Sequence, residues 1–267
     1  MVIKINKRDA KKIVALSIFI TFFVMFICSV YGIPVGPTVS PVGNTTKTPE
    51  PGMKVNFTGN DTNYPEKSGG FIFTINLNSE QQNSRWKAYV GNVTGTLVLE
   101  DADGYSIYDW SITTSLTGEV YATRASGNID WTNINCSYFN ATHWENKALN
   151  HTKPYDNISA TFNDTDNSEF YVGNVKIHEN TCPTINLNIN GSSDLLDDFE
   201  EVLLYDGGPT IPLDDNSNFG NIVYAAIVEE DQFGYNNQTY DFQMIVPEVG
   251  LDGWSSSTAY YFYVELS

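Results

Sequence analysis

Hydrophobic residues fall along this chain in two different rhythms. Residues 13–32, IVALSIFITFFVMFICSVYG, carry no charge over twenty positions, roughly the length of helix that crosses a bilayer's hydrocarbon core. Beyond residue 70 the apolar positions instead recur at every second residue, in short bursts. In FIFTINL (71–77), Phe71, Phe73, Ile75 and Leu77 share one face while Thr74 and Asn76 take the other, the pattern of a half-buried strand.

The same reading predicts strands within 86–112, with the positive φ of a tight hairpin turn at Asp103-Gly104. Further strands are expected at 119–125, 169–177, 184–189, 200–205, 222–230 and 240–248, and a short helix at 141–149. IVYAAIVEE (222–230) is almost wholly apolar, as a central strand buried on both faces requires. At the C-terminus Tyr260, Phe262, Val264 and Leu266 share a face, so the last residues should pack as a strand. YVGNV occurs twice, at 89–93 and 171–175, and Gly91 and Gly173 are expected to mark bulges or close strand approaches. Many short strands with polar turns and little helix predict an all-β fold, a β-sandwich or jelly-roll.

Four segments follow from these patterns. Residues 1–12 form a basic lead containing Lys4, Lys7, Arg8, Lys11 and Lys12. Residues 13–32 are a transmembrane helix or a signal segment, longer than the apolar core of an ordinary signal. Basic residues on its N-terminal side keep that end cytoplasmic and place the remainder outside. Residues 33–70, rich in Pro, Thr, Gly and Asn, read as an extended spacer. Residues 71–267 are the β-rich extracellular domain, tethered to the membrane or secreted if the signal is cleaved.

Charge narrows the partners. The chain's net charge is −18; setting aside the five bases and Asp9 ahead of residue 13 leaves nine bases and thirty-one acids, a net −22. Such a surface repels nucleic acid and anionic headgroups. Of the three cysteines, Cys28 belongs to the apolar run, which leaves Cys136 and Cys182 in an exported domain where one disulfide is expected. Eleven Asn-x-Ser/Thr acceptors occur, all beyond the apolar run. Nine are expected glycosylation sites: Asn44, Asn56, Asn60, Asn140, Asn150, Asn157, Asn163, Asn190 and Asn237. Asn92 falls in an expected strand and is a poorer acceptor.

Signals for chemistry are sparse. Asp101, Asp103 and Asp109 resemble a calcium loop, but Gly104 comes too early for an EF-hand, so a hairpin turn is the better reading. Asp194, Asp197, Asp198, Glu200 and Glu201 form an acidic cluster that either ligates calcium or faces solvent. His143, His151 and His178 are the only imidazoles; the first two flank the expected helix near Glu145 and Asp156, a set from which an open zinc site can be built. Structural hydrogen bonding is the competing role, because no recognised ligand spacing is present. Trp86, Trp110, Trp131, Trp144 and Trp254 are candidate sugar-stacking rings, with core packing the simpler use. No nucleophile elbow, phosphate loop or dinucleotide fingerprint occurs.

The blocks WKAYVGNVTGTLVLEDADGYSIYDW, FEEVLLYDG, IVYAAIVEED, YDFQMIVPE and YYFYVEL resemble a family of exported, membrane-anchored archaeal surface proteins with a β-rich domain. The resemblance implies a cell-surface location and a shared β domain. It brings no activity, cofactor or catalytic residue. The expected function is thus that of a non-catalytic cell-surface glycoprotein, an envelope, adhesive or assembly component meeting other envelope proteins or surface glycans. A carbohydrate-binding module and an exported metal- or carboxylate-dependent hydrolase are the alternatives.

Overall fold

The computed structural model describes residues 33–48, 76, 78, 80–110, 117–137, 139–192, 198–207, 220–249 and 257–266. The apolar run at 13–32 with Cys28, the spacer beyond residue 48 and nearly all of the strand expected at 71–77 lie outside them. So do Asn56, Asn60, Asp194, Asp197 and Trp254. Among the described residues no helix is long and apolar enough to cross a membrane.

The fold is mostly strand, as the alternation predicts, and a six-stranded antiparallel sheet organises it. Its path runs β14 (Tyr261–Leu266), β4 (Gly118–Thr123), β10 (Ile222–Ile227), β9 (Glu200–Tyr205) and β5 (Asn135–Cys136), with β8 (Thr184–Asn186) also on β9. Alternation sends the side chains of each strand into two separate cores. Val120, Ala122, Leu203, Tyr205, Tyr224 and Ala226 fill one. Tyr121, Val202, Leu204, Val223 and Ala225 fill the other. Of the run expected at 222–230, β10 at 222–227 is therefore central and buried on both faces, whereas Glu230 beyond it is exposed.

Different elements cover the two faces. Over the first lies an antiparallel ribbon of β1 (Trp86–Gly91) and β13 (Phe242–Pro247), the latter preceded by a small hairpin of β11 (Gln232–Phe233) and β12 (Thr239–Tyr240); the ribbon contributes Met244 and Val246. Helix α1 (Phe139–Ala148) adds Ala141, and Leu149 just beyond it also packs inward. Helix α2 (Ile158–Thr161) is a single turn capped by Asn157, whose Oδ1 accepts from the Ala160 amide at 2.8 Å, and it buries Ile158. Over the second face lies a hairpin of β6 (Phe170–Val172) and β7 (Val175–Ile177), joined by Trp131 from a 3₁₀ turn, Trp131–Asn133. Each aliphatic side chain buried this way is worth roughly 1.5–3 kcal/mol relative to exposure. The terminal strand behaves as expected, with Tyr260, Phe262, Val264 and Leu266 all packed on the first core.

Two expectations change. The stretch 169–177 is a hairpin and not one strand: Gly173 adopts φ 57° and reverses the chain between Val172 and Val175. Its namesake Gly91 instead ends β1, where a side chain would press on the Phe242 ring at 3.2 Å, the close approach expected of it. Second, Glu200 and Glu201 do not face solvent. Both are buried at the start of β9, because the strand that follows them, VLLY, is enclosed on both sides.

The outer edge of β9 is built from two pieces laid end to end. β5 pairs with Tyr205 and Leu204, and β8 continues the same line along Val202, Glu201 and Glu200. Ser137 donates to the Leu203 carbonyl and Leu203 to the Pro183 carbonyl, closing the gap between them. The Cys136–Cys182 disulfide, spanning 46 residues of sequence, joins the two pieces covalently.

Candidate interaction surfaces

The hairpin of β2 (Leu97–Glu100) and β3 (Ser106–Trp110) stands apart from both cores. Asp101 organises its turn: the carboxylate accepts from the amides of Asp103 and Tyr105 at 3.0 and 2.9 Å, and Gly104 adopts φ 84°. Asp109 likewise accepts from Ser106 Oγ. Every residue of both strands is exposed. The register pairs Leu97 with Trp110 and Leu99 with Tyr108, so four large apolar side chains share one face, and Ile107 on the other is 81% exposed. The Tyr108 and Trp110 rings meet edge to face at 4.9 Å and 70°, not as the coplanar platform on which a sugar stacks.

A second surface is the free margin of β14. Its inner side pairs with β4 along six residues. On its outer side the spacer returns: Val35 donates to the Val264 carbonyl at 3.0 Å and Val264 to the Val35 carbonyl at 2.8 Å. Gly36, Pro37 and Val39 continue beside Tyr260, Tyr261, Phe262 and Tyr263 and enclose an open groove of about 440 Å³. Between 33 and 48 only Pro34 is buried.

Ionisable groups inside the domain were poorly visible in the sequence. Glu119 and Glu265 are register partners of β4 and β14, and Tyr121 Oη lies 3.4 and 3.2 Å from their carboxylates. Burial first, then the Glu265 charge, pushes the Glu119 carboxyl up to about 8. Burial also raises Glu265, against the Gly173 amide that donates to both its oxygens at 2.9 Å. The signal was available: EVY at 119–121 reads backwards as YVE at 263–265, so antiparallel pairing stacks like on like. Arg124 holds Glu145 with two hydrogen bonds, Nε at 2.7 Å and Nη2 at 2.5 Å, tying β4 to α1. Glu201 is fully buried; its Oε2 accepts from the Ile245 amide at 2.8 Å and burial raises its carboxyl well above the usual range.

The expected zinc ligands are not brought together. His151 is buried, its Nε2 donating to the Glu248 carbonyl and its ring edge-on to Trp86 at 5.6 Å. His143 sits exposed on α1 against Trp144, and His178 is exposed after β7. Among the described residues no three His, Cys, Asp or Glu side chains are grouped to hold a metal ion. Trp86 and Trp131 belong to the cores, while Lys147 covers the Trp144 ring at 4.1 Å.

The expected acceptor asparagines lie mainly at the surface. Asn44, Asn163, Asn190 and Asn237 are exposed, Asn150 and Asn157 half-buried, and Asn140 lies in α1. Asn92 is not a strand residue: it follows β1 and is exposed. Asn190 and Asn237 occupy left-handed turn positions at φ 47° and 62°. No known protein family, curated protein or solved structure matches the chain.

Proposed function

We propose that the chain is a non-catalytic, membrane-tethered surface glycoprotein whose β domain works by protein–protein contact, as an envelope or assembly component. The observation that carries this reading is the β2–β3 hairpin. A two-stranded ribbon is marginal in water by itself, and Leu97, Leu99, Tyr108 and Trp110 share a face that no other described element covers extensively. Apolar faces of that kind mark sites where another protein packs. Two of the buried carboxyls support the same reading by joining elements: Glu265 accepts from the Gly173 amide in the β6–β7 turn and Glu201 from the Ile245 amide in β13.

The stacking of the β1–β13 ribbon upon the six-stranded sheet is read as a β-sandwich. Residues 13–32 supply the anchor or signal, and the archaeal surface family resembled by the sequence is the preferred kinship. The location is tested on intact cells of the source organism. An impermeant amine reagent should label Lys147, Lys153 and Lys176, and mass spectrometry should find sugar on Asn44, Asn163, Asn190 or Asn237. Protection of the lysines together with unmodified asparagines rejects surface display.

A further inference from the structure

We propose that residues 33–42 of one copy bind along β14 of a second copy, so that the chain assembles by donating its spacer as an added strand. This deepens the assembly reading above by naming the partner as another molecule of the same chain.

Three observations lead there. The acceptor edge is seen in use: Val35 and Val264 exchange both backbone hydrogen bonds, and Gly36, Pro37 and Val39 line the groove beside Tyr260, Tyr261, Phe262 and Tyr263. Whatever sequence the groove accepts, it accepts this one. An identical segment from a neighbour fits it equally well, which is the logic of domain swapping. Main-chain pairing of this kind is how extended peptides add to sheet edges.

Next, the dock on the chain's own domain is weakly held. Its backbone pairing is one bridged residue pair, and although Pro34 is buried, Ile33, Val35, Val39 and Val42 remain exposed. Beyond the strap, Lys47 pairs with Glu80 at 2.9 Å, with both side chains largely exposed, and such surface pairs contribute little. A few net-modest hydrogen bonds set against the ordering of several residues make the strap exchangeable.

Finally, nothing in the covalent chain enforces docking at home. Forty-three residues, 43–85, separate the strap from β1, an extended reach of more than ~100 Å. The local concentration favouring self-docking falls steeply with such length. Tethered copies crowded on one surface compete on comparable terms. Donor and acceptor are different surfaces, so each copy can give a strap and take one at once.

The test mixes two full-length chains, both carrying Cys28→Ser and kept in detergent. One carries Val35→Cys and an affinity tag, the other Val264→Cys without a tag. A hydrogen-bonded antiparallel pair brings Cα atoms to about 5.5 Å, within disulfide range. Mild oxidation should give a tagged–untagged dimer whose yield rises at least severalfold with a tenfold rise in concentration. A third chain with both substitutions reports self-docking. Efficient bridging within that chain, with no dimer in the mixture, overturns the proposal; absence of both products overturns it too. Val35→Pro removes the amide that donates to Val264 and should weaken self-association at least tenfold by sedimentation, with an unchanged circular dichroism spectrum. Unaltered association in that variant also rejects strand donation. Failure here leaves surface display standing, whereas protected lysines on intact cells would reject display without touching the mixing result.

Discussion

Glu119 and Glu265 face each other across the β4–β14 ladder with the Tyr121 hydroxyl between them. Burial disfavours charge on both carboxyls, and the Glu265 charge adds to the penalty at Glu119, so the pair favours keeping a proton. The folded Glu119 carboxyl titrates near 8 against an ordinary 4.5. The folded state thus binds this proton more tightly than the unfolded chain does. The resulting stabilisation is complete below about pH 4.5 and is lost as pH rises through about 8. Glu119→Gln keeps the shape and removes the charge. It should raise stability at pH 8 by on the order of 2 kcal/mol and flatten the dependence between pH 5 and 8. Urea titrations across that range check both effects.

The Arg124–Glu145 pair is a polar tie between the end of β4 and α1. Glu145 is nearly buried whereas Arg124 keeps about a third of its side chain exposed. Arg124→Ala strands the carboxylate, and the loss should be about 2 kcal/mol, below the ~3–5 of a wholly enclosed pair. Arg124→Met combined with Glu145→Leu should restore most of it. Thermal melts of the single and double variants decide.

Removing the disulfide frees a 46-residue loop. In the chain-entropy account, the loss is about 4 kcal/mol. Cys136→Ser with Cys182→Ser should lower the unfolding free energy extrapolated from urea titrations by that amount. Amide exchange should quicken first in β5 and β8, which the bond holds together, and later in β10.

The exposed hairpin offers the converse experiment. Leu99→Asp and Trp110→Asp lie outside both cores, so domain stability should change by less than ~0.5 kcal/mol. Sedimentation and light scattering should nevertheless show weaker association. Association unaffected by both changes removes the hairpin from the interface.

Much of this architecture was legible because side-chain alternation records which strands have two sides to bury. The run 222–230 and the face Tyr260, Phe262, Val264 and Leu266 declared themselves in that way. The 170–177 hairpin did not: its arms have only three residues each, and the pattern passes through Gly173-Asn174 with little interruption. Helix α2 is one turn long, too short for a period, and only its Asn157 cap gives it away. Glu200 and Glu201 looked like surface acids in a chain full of them, although the VLLY that follows was the clue to their enclosure. Of the candidate site, the cysteine pairing was readable by elimination, since setting aside Cys28 in the apolar run leaves Cys136 and Cys182. The spacer's contact with β14 was not, since backbone pairing leaves no mark on side-chain pattern.

The stitched half-strands β5 and β8 give the central sheet a blocked flank. Short, covalently tied pieces present no continuous ladder for a visiting strand, so the opposite flank at β14 is left as the growth front. An open array built through it would be polar, with an unfilled acceptor at one terminus and a spare strap at the other, whereas a closed ring or a reciprocal dimer would leave neither.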